Sequence, residues 1–432
     1  MTALSLKQPP THPLTQHIVP EGPLTLAEYQ ERGGYEGFKT ALTQTPDEVL
    51  TLIKDSNLRG RGGAGFPTGM KWSFVPRGDD TPTPKYLVVN ADEMEPGAFK
   101  DRMLLEGAPH QLIEGLLIGA HTIQATISYI FLRNEFTVAA TRIQKAIGEC
   151  YAAGLLGQNI LGTSLCFDIY IHSSAGRYIC GEETALINAL EGKRANPRAK
   201  PPFPQVAGLW GKPTIVNNVE TFFNLPGIVS YGVEWFKGLG RHEDAGTKIF
   251  GVSGRVKNPG CWELPMGTTI REVIEVHAGG MCDGYQLRGF LPGGGSTDFL
   301  LPEHLDTPMD YNQISKLCSR MGTATIIVLD DKYCPVSMIL NLVAFFAQES
   351  CGWCTPCRDG LPSATYLLEQ IEQGKGKLEY LTYLEDIVQM VAPGNSYCAL
   401  APGAAEPLQS GMKFFHDDFL QHINECRCPY EH

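Results

Sequence analysis

The sequence lacks any apolar run long enough to cross a membrane. Its longest such runs, at residues 112–120 and 336–347, are shorter than the roughly 20 residues that a membrane-spanning helix needs. No apolar segment follows the first methionine, so we expect no signal peptide. A basic excess is also missing, because the formal net charge is −12, which argues against a general nucleic-acid binder. We therefore expect a soluble protein, which can still associate with a membrane assembly.

Regular pairing of cysteines is missing as well. Thirteen cysteines in a chain of 432 residues indicate a reducing compartment and metal binding rather than a disulfide scaffold. Cys351, Cys354 and Cys357 have the C-x2-C-x2-C spacing with which the bacterial ferredoxin motif begins. A [4Fe–4S] cluster needs four thiolates, but position 361, where the motif continues, is leucine. The fourth ligand must therefore come from a distant part of the chain.

The competing interpretation of these three cysteines is a structural zinc site, which usually joins two paired knuckles. The sequence has no second knuckle near the first, and Cys426 with Cys428 makes a poor one near the end of the chain. The spacing therefore favours an iron–sulfur cluster over zinc or free thiols. We expect the cysteines that are not ligands to be small buried hydrophobic residues.

A helical bundle is predicted around the triplet. Apolar periodicity indicates four helices, at 336–349, 361–373, 376–391 and 404–424. Antiparallel packing would bring the loop before the fourth helix to the end of the bundle that holds the triplet. This geometry favours Cys398, in that loop, as the fourth ligand over Cys334, Cys426 or Cys428.

Strands and helices alternate in the N-terminal half, after a proline-rich stretch over residues 1–35 that we interpret as an extended arm. Thr45, Pro46 and Glu48 mark the start of a helix. Further helices are predicted at 109–123 and 135–153, and strands at 85–90, 127–133 and 166–172. This alternation predicts an α/β domain with a largely parallel sheet over residues 36–245.

A glycine-rich segment lies early in this domain, where residues 59–72 read RGRGGAGFPTGMKW. Gly60, Gly62 and Gly65 match G-x-G-x-x-G. A helix precedes the match, however, and the proline and glycine after it disfavour an immediate helix, so we reject the ordinary dinucleotide fold. The glycines still allow backbone N–H groups to approach a flat or phosphorylated ligand. A flexible surface loop is the competing interpretation.

Acidic residues cluster in two loops of the same domain. Asp92, Glu93 and Glu95 follow the first predicted strand, where three carboxylates are costly to bury unpaired. They suit hydrogen bonds to ribityl or ribose hydroxyls, and a solvated acidic turn is the alternative. Glu182 and Glu183 begin a predicted helix, whose dipole favours them without any ligand.

Two further loops suit a phosphorylated ligand. Residues 193–204 are basic and proline-rich, and their cations together with the aromatic Phe203 suit a stacked ligand. Asn217 and Asn218 begin another predicted helix. An N-cap explains one of the asparagines, and the remaining donors could reach a phosphate.

Between residues 246 and 334 the predicted elements are mainly strands, in contrast to the alternating strands and helices before them. Strands are predicted at 248–256, 286–291 and 324–329, with one helix at 269–278. We interpret this region as a small β-grasp-like α+β domain, followed at 335–432 by the helical-bundle domain that carries the iron–sulfur cluster. The glycine-rich segment at 292–296 is interpreted as a turn rather than as a ligand loop.

Five motifs together resemble those of one family, the flavin-bearing, NADH-oxidising subunit of bacterial respiratory complex I (the 51 kDa type). The motifs are GRGGAGFPTGMKW, NADEMEPG, GRYICGEETAL, VNNVET and ESCGWCTPCR. Each is weak alone, but they occur in the expected order and the resemblance extends from about residue 30 to 425.

The resemblance implies FMN in the α/β domain, NADH stacked on its isoalloxazine ring and one [4Fe–4S] cluster in the helical domain. Proteins of this kind are NADH dehydrogenases (quinone), in which hydride passes from NADH to FMN and electrons pass singly to the clusters of partner subunits. Since hydride moves between cofactors, no catalytic residue is implied, and Glu95 and Glu183 position NADH. The implied cluster ligands are Cys351, Cys354, Cys357 and Cys398.

The resemblance also implies which residues in these motifs bind the cofactors. Those that would hold FMN are Gly60, Gly62, Gly63, Lys71, Asn90, Asp92, Tyr178, Gly181, Asn217, Asn218 and Thr221. Those that would hold NADH are Phe66, Phe74, Glu95, Glu183, Lys200 and Phe203. Neighbouring positions assigned to the same cofactors are Arg61, Ala64, Gly65, Glu93, Glu182 and Val216. Glu183 is expected to face the adenosine ribose and to repel the extra phosphate of NADPH.

The implied partners are a small [2Fe–2S] thioredoxin-like subunit and a large multi-cluster iron–sulfur subunit of the peripheral arm. We expect no nucleic acid, no direct membrane insertion and a place on the cytoplasmic face of the inner membrane. The nearest alternative is a diaphorase subunit of an NAD-linked hydrogenase or formate dehydrogenase, which often carries additional cysteine-rich domains that are not visible here. A zinc-stabilised nucleotide sensor without flavin is an alternative from another class.

Overall fold

The computed structural model describes residues 9–78 and 81–430. Residues 1–8 of the predicted arm and 431–432 of the predicted bundle lie outside the described residues. The rest of the arm is not simply extended, because it contains helix α1 (Leu26–Glu31), which a capping box between Thr25 and Glu28 begins. Before α1, the backbone N–H groups of Leu14 and Thr15 donate to the Glu263 carboxylate at 3.0 and 2.7 Å. These bonds fasten the arm to the second domain.

The first domain is built on a four-stranded parallel sheet with the order β3-β2-β1-β4. The strands are β1 (Tyr86–Ala91), β2 (Ile127–Leu132), β3 (Asp168–Ser173) and β4 (Thr214–Asn218). Strand β1 is a nearly continuous apolar run with both faces buried, as is usual for the interior of a parallel sheet. The prediction missed β4 because its five residues run directly into a helix.

Helices cover this sheet and extend beyond it. Before β1 lie α2 (Glu36–Leu42), α3 (Pro46–Asp55) and α4 (Thr68–Ser73). Between β1 and β3 lie α5 (Lys100–Gly107), α6 (Pro109–Ile123) and α7 (Thr137–Ala152). After β3 come α8 (Glu183–Leu190), α9 (Pro204–Ala207), α10 (Val219–Phe223), α11 (Leu225–Tyr231) and α12 (Val233–Gly238). Short 3-10 turns occur at Ile160–Gly162, Tyr178–Gly181 and Leu209–Gly211.

Helix α4 contradicts the expectation that no helix follows the glycine-rich segment at once. Pro67 occupies the N-cap position, where the missing N–H of proline costs no intrahelical hydrogen bond. Gly69 is required for packing, because a Cβ atom there would lie 2.6 Å from the Cα atom of Lys54 in α3. The glycine therefore lets two helices approach closely instead of ending one.

The second domain contains a mixed four-stranded sheet with the order β6-β5-β8-β7. Its elements are β5 (Thr247–Ser253), β6 (Gly260–Pro265), a π-helical turn (Glu272–His277), β7 (Leu287–Leu291), a 3-10 turn (Pro302–His304), α13 (Tyr311–Lys316) and β8 (Thr325–Asp330). Only β5 and β8 pair in parallel. This small α+β unit agrees with the predicted class, although the prediction missed β6, whose ends are a glycine and a proline.

The third domain is a bundle of five helices instead of the four predicted. They are α14 (Pro335–Glu349), α15 (Thr355–Glu372), α16 (Glu379–Met390), α17 (Leu400–Phe414) and α18 (His416–Glu425). The predicted last helix breaks at Phe415, which has non-helical dihedral angles. Helix α15 begins earlier than predicted because proline is tolerated in the first turn, so Cys357 lies inside the helix. Within the described ranges, no helix is both long enough and apolar enough to span a membrane.

Candidate functional site

A cavity of about 330 Å³ lies where the three domains meet. Gly62 and Ala64 of the glycine-rich segment line it, as do Asn90 at the end of β1 and Asn218 at the end of β4. Predicted cofactor-binding residues that line it further are Asp92, Glu93, Glu95, Tyr178, Gly181 and Glu182. The predicted fourth cluster ligand, Cys398, lines the same cavity. The fold thus brings four separate sequence motifs to one place.

Asp92 is the carboxylate in this cavity whose hydrogen-bonding capacity is least used. Both of its carboxylate oxygens are buried, and the Ser174 hydroxyl is a nearby donor to them. Burial raises the pKa of Asp92 to about 6, although the Ser174 hydroxyl opposes this increase. A buried acceptor with spare capacity favours a ligand that brings donors, such as hydroxyl groups.

The other two carboxylates of the acidic loop are already engaged. Glu93 accepts hydrogen bonds from the first three N–H groups of α5 at 2.9, 3.0 and 3.1 Å and therefore caps that helix. Burial, together with the Asp101 carboxylate, raises the pKa of Glu93 to about 7. Glu95 accepts from the Tyr178 hydroxyl and from the backbone N–H of Ser296, both at 2.7 Å. Glu95 therefore joins two walls of the cavity.

The glycine-rich segment forms an ordered turn, which does not support the alternative of a flexible loop. The Gly60 N–H donates to the Phe66 carbonyl at 2.9 Å and closes the turn. Gly65 has a φ of +66°, and a Cβ atom there would lie 2.4 Å from the ring of Tyr311. A Cβ atom on Gly62 would lie 3.0 Å from the Asn218 side chain. The backbone itself is therefore the surface that faces the cavity.

Several predicted site residues support the turn instead of lining the cavity. The Arg61 side chain is fully buried and donates to the Ala245 carbonyl at 2.9 Å. Its backbone N–H donates to the Thr221 hydroxyl at 3.0 Å. Asn217 accepts from the Trp72 indole at 2.9 Å. These bonds engage the Arg61 donors and the side-chain oxygens of Thr221 and Asn217, but not the donors of those two side chains.

Lys71, Glu183 and Lys200 form an ion cluster beside the cavity. The Lys71 ammonium lies 2.8 Å from the Glu183 carboxylate and donates to the Val216 carbonyl at 2.8 Å. Lys200 lies 3.0 Å from Glu183 and 3.1 Å from Glu182, whose carboxylate also caps α8. Burial would raise the pKa of Glu183, but the two ammonium groups outweigh it and lower the pKa.

Three phenylalanines near this ion cluster in sequence are unusually exposed. Phe66, Phe74 and Phe203 have 48%, 54% and 53% of their surface accessible. Large exposed apolar side chains of this kind often mark binding sites. Their rings are therefore accessible to a ligand that stacks on them.

The cysteine triplet and Cys398 come together at one end of the helical bundle. Cys351, Cys354 and Cys357 lie between α14 and the first turn of α15, and Cys398 precedes α17. The backbone N–H next to Cys398, that of Tyr397, donates to the Cys354 sulfur at 3.3 Å. Burial raises the pKa of Cys398 to about 12, and the thiols of Cys351 and Cys357 contribute to the increase.

These sulfurs are spread more widely than a single zinc ion would hold them. In a tetrahedral zinc site with zinc–sulfur bonds of about 2.3 Å, the sulfur atoms lie about 3.8 Å from one another. Within the described part of the chain, no three of these four cysteines have sulfurs within 4.8 Å of one another. The expectation that the other cysteines are buried holds for Cys150, Cys180 and Cys334 only. Cys166, Cys261, Cys282 and Cys428 are partly exposed, and Cys318 and Cys426 are exposed because they lie in surface turns with φ of +59° and +52°.

The sequence missed the part of the cavity that the second domain contributes. Ser296, Arg320 and Thr323 line it, although residues 292–296 were interpreted as a turn only. The signal was the glycine run, because Gly294 has a φ of +105° and a Cβ atom there would lie 2.6 Å from the Glu95 side chain. Lys100 and Asp101 also line the cavity and were not predicted.

Models of known families match three segments of the chain. Residues 53–227 match the Nuo51 FMN-binding domain. Residues 249–299 match the SLBB domain. Residues 337–422 match the NADH-ubiquinone oxidoreductase-F iron–sulfur binding region.

Relatives of nearly the same length are similar over almost the whole chain. The F subunit of the NADH-quinone oxidoreductase of Salmonella typhimurium is 53% identical over 97% of this chain and 95% of its own. The Escherichia coli protein of the same name has the same identity and coverage. The Streptomyces coelicolor protein is 46% identical over 94% of this chain and 90% of its own.

A solved structure of an NAD+-reducing [NiFe]-hydrogenase in the H2-reduced state is also similar. Its TM-score is 0.80 at 34% identity, over 91% of this chain. This chain spans 65% of that hydrogenase chain, which is less than two thirds of its length. The hydrogenase is thus similar in fold but carries a large part that has no counterpart here.

Proposed function

The chain belongs to the family of F subunits of NADH-quinone oxidoreductase, and on this premise we propose which residues carry its activity and which proteins it contacts. The chain is an oxidoreductase that acts on NADH within an NADH-quinone oxidoreductase complex. Its cofactors are FMN and one [4Fe–4S] cluster. When bound, FMN supplies the hydride acceptor and the cluster supplies a one-electron carrier.

The cavity at the domain junction is the proposed FMN site. The backbone of Gly62 and Ala64 forms one wall, and the buried Asp92 carboxylate would accept hydrogen bonds from ribityl hydroxyls. Cys398, which is a proposed cluster ligand, forms another wall. The proposal depends on this shared wall, because it would place FMN on one side of Cys398 and the iron–sulfur cluster on the other.

The ion cluster and the exposed rings are the proposed NADH site. Glu183 would accept hydrogen bonds from the adenosine ribose, and Lys71 and Lys200 would fix its carboxylate. Phe66, Phe74 and Phe203 would supply stacking surfaces. Hydride transfer between stacked rings needs orientation but no general acid or base, so these residues bind and position.

The finer assignment of partners and location rests on the family. We propose contacts with a small [2Fe–2S] thioredoxin-like subunit and with a large multi-cluster iron–sulfur subunit of the peripheral arm. The corresponding place is on the cytoplasmic face of the inner membrane. The alternative, a hydrogenase or formate dehydrogenase diaphorase, has less support, because the hydrogenase structure is 34% identical and the relatives from NADH-quinone oxidoreductases reach 53%.

A visible spectrum of anaerobically purified protein tests this function directly. We expect a flavin band that bleaches when NADH is added, together with about four irons per chain, as one cluster held by four thiolates requires. The same sample without NADH is the control for spontaneous bleaching. Protein that contains zinc but no flavin would contradict the assignment.

Replacing Glu183 with histidine should shift cofactor preference towards NADPH. The change removes the carboxylate that would repel a 2′-phosphate. It also leaves Lys71 without its carboxylate partner and Lys200 with Glu182 alone, so their ammonium groups can pair with that phosphate. We expect the NADPH-to-NADH ratio of kcat/KM to rise roughly tenfold, or about 1.4 kcal/mol. Glu303→His, at an exposed position in the second domain, is the control. An unchanged ratio in Glu183→His would refute the role.

A further inference from the structure

A second group of metal-binding side chains lies in the helical domain, apart from the cysteine triplet. Cys334, Glu372, His422 and Cys428 each point one ligand atom at a common centre, and these four atoms all lie within 4.8 Å of one another. Across residues 9–78 and 81–430, this is the only group of three or more histidine, cysteine or acidic side chains that meets this limit. Such convergence of lone-pair groups favours a bound cation.

The separations fit tetrahedral zinc. The Cys334 sulfur lies 3.3 Å from His422 Nε2 and 3.4 Å from Glu372 Oε2, and Nε2 lies 3.2 Å from Oε2. Zinc bonds of about 2.3 Å to sulfur and about 2.0–2.1 Å to nitrogen or oxygen place neighbouring ligand atoms about 3.3–3.6 Å apart. Binding would therefore require the three side chains to move by only tenths of an ångström.

The histidine is held in the orientation that a metal ligand needs. Its Nδ1 lies 2.7 Å from the backbone carbonyl of Asp418, and since a carbonyl oxygen can only accept, Nδ1 carries the proton. Nε2 is therefore the ring nitrogen that faces the cysteine and the glutamate, and it would bind a metal after losing the proton that it otherwise shares with Glu372. A second hydrogen bond that fixes the tautomer is the usual support of a histidine metal ligand. His422 is also fully buried, so solvent does not compete for Nε2.

The group is spatially separate from the proposed iron–sulfur site. Cys357 lies in the first turn of helix α15 and Glu372 is its last residue. Their separation of 15 residues corresponds to roughly 22 Å along the axis. Helix α14 also runs between the two sites, in the opposite direction. Cys334 is its N-cap, and the triplet follows its last residue. The two sites therefore lie at opposite ends of the same pair of helices.

We propose that Cys334, Glu372, His422 and Cys428 bind one structural Zn²⁺ that fastens the C-terminal tail to the bundle. Four protein ligands leave no open position, which is typical of structural rather than catalytic zinc. The ligands come from the start of α14, the end of α15, α18 and the tail after it. The tail is also held by the Tyr430 hydroxyl, which donates to Asp418. Zinc would hold the same segment through Cys428.

Metal counting on the full chain with its cofactors tests the proposal. Protein produced with ample zinc should contain about one zinc per chain, with four protein ligands. Cys428→Ser should lose the zinc and keep the iron, whereas Cys354→Ser should lose the iron and keep the zinc. Cys426→Ser is the matched control, because this exposed cysteine lies two positions away in the same tail and directs its sulfur to the Ile423 carbonyl.

Zinc X-ray absorption on the unaltered protein tests the site without any variant that could fail to fold. Two sulfur neighbours at about 2.3 Å and two nitrogen or oxygen neighbours at about 2.0–2.1 Å are expected. An unaltered chain without zinc overturns the proposal, as does a Cys334–Cys428 disulfide found by mass spectrometry. Zinc that disappears in Cys354→Ser but persists in Cys428→Ser also overturns it, because such zinc would occupy the cysteine triplet.

Discussion

Replacing Cys398 with alanine should remove the [4Fe–4S] cluster while the flavin stays bound. We expect the iron content to fall well below four per chain, because one iron of the cubane loses its only protein thiolate and the cluster becomes labile. Flavin should remain because Cys398 is one of many residues that line the proposed FMN cavity. NADH should then still reduce ferricyanide, which takes electrons from flavin, but not acceptors that lie beyond the cluster.

The structure gives a physical reason to choose Cys398 over the other cysteines. The N–H of its neighbour Tyr397 already donates to the Cys354 sulfur at 3.3 Å, so the two loops are adjacent before any cluster binds. Cys334 and Cys428 lie at the opposite end of the bundle. Cys166→Ala is the control, since this residue precedes β3 in the first domain. Four irons retained in Cys398→Ala would mean that another residue is the fourth ligand.

How much of the site was predictable depends on the distance in sequence between the residues involved. The capping box of Thr45 and Glu48 and the spacing of the cysteine triplet are local patterns, and the sequence alone was enough to find them. Cys398 was predicted by an argument from bundle geometry, and the structure places its loop beside the triplet. Ser296 and Thr323 could not be found in this way, because they approach the cavity only when the second domain packs against the first.

The group around Cys334 illustrates the same limit. Sequence reasoning treated Cys334 and Cys428 as rival cluster ligands or as buried hydrophobic residues. No spacing rule joins a cysteine before one helix to a histidine inside another, since their sequence separation depends on the lengths of the helices between them. Only the packing of α14, α15 and α18 shows that these side chains share one centre.

A buried charge network at the junction of the first two domains was also invisible in the sequence. Glu220 is fully buried and lies 2.8 Å from the Lys100 ammonium and 3.0 Å from the Lys248 ammonium. It also accepts from the Ile249 N–H at 2.9 Å. Lys248 in turn donates to the Arg61 carbonyl at 3.2 Å, in the glycine-rich turn. One carboxylate thus links α5, α10, β5 and the proposed FMN cradle.

Replacing Glu220 with glutamine should be among the most destabilising changes in the chain. The variant keeps the volume but leaves the buried Lys248 ammonium without its carboxylate partner and Lys100 with Asp101 alone. Breaking a buried ion pair costs about 3–5 kcal/mol. We expect a decrease of this size in the free energy of unfolding, measured by urea titration. Glu234→Gln is the matched control, because its side chain is 92% exposed and surface changes usually stay within about 0.5 kcal/mol.

The pH dependence of this loss separates a charge effect from a packing effect. Burial alone would raise the pKa of Glu220, but the ammonium groups of Lys100 and Lys248 outweigh it and lower the pKa from 4.5 to about 2. A carboxylate with a depressed folded-state pKa stabilises fully above the unfolded value, and this stabilisation disappears as the pH falls through the folded value. The difference between native protein and Glu220→Gln should therefore be largest above about pH 5 and shrink towards pH 2. An equal difference at both ends would mean that glutamine disturbs packing, and that the two lysines do not depend on the charge of Glu220.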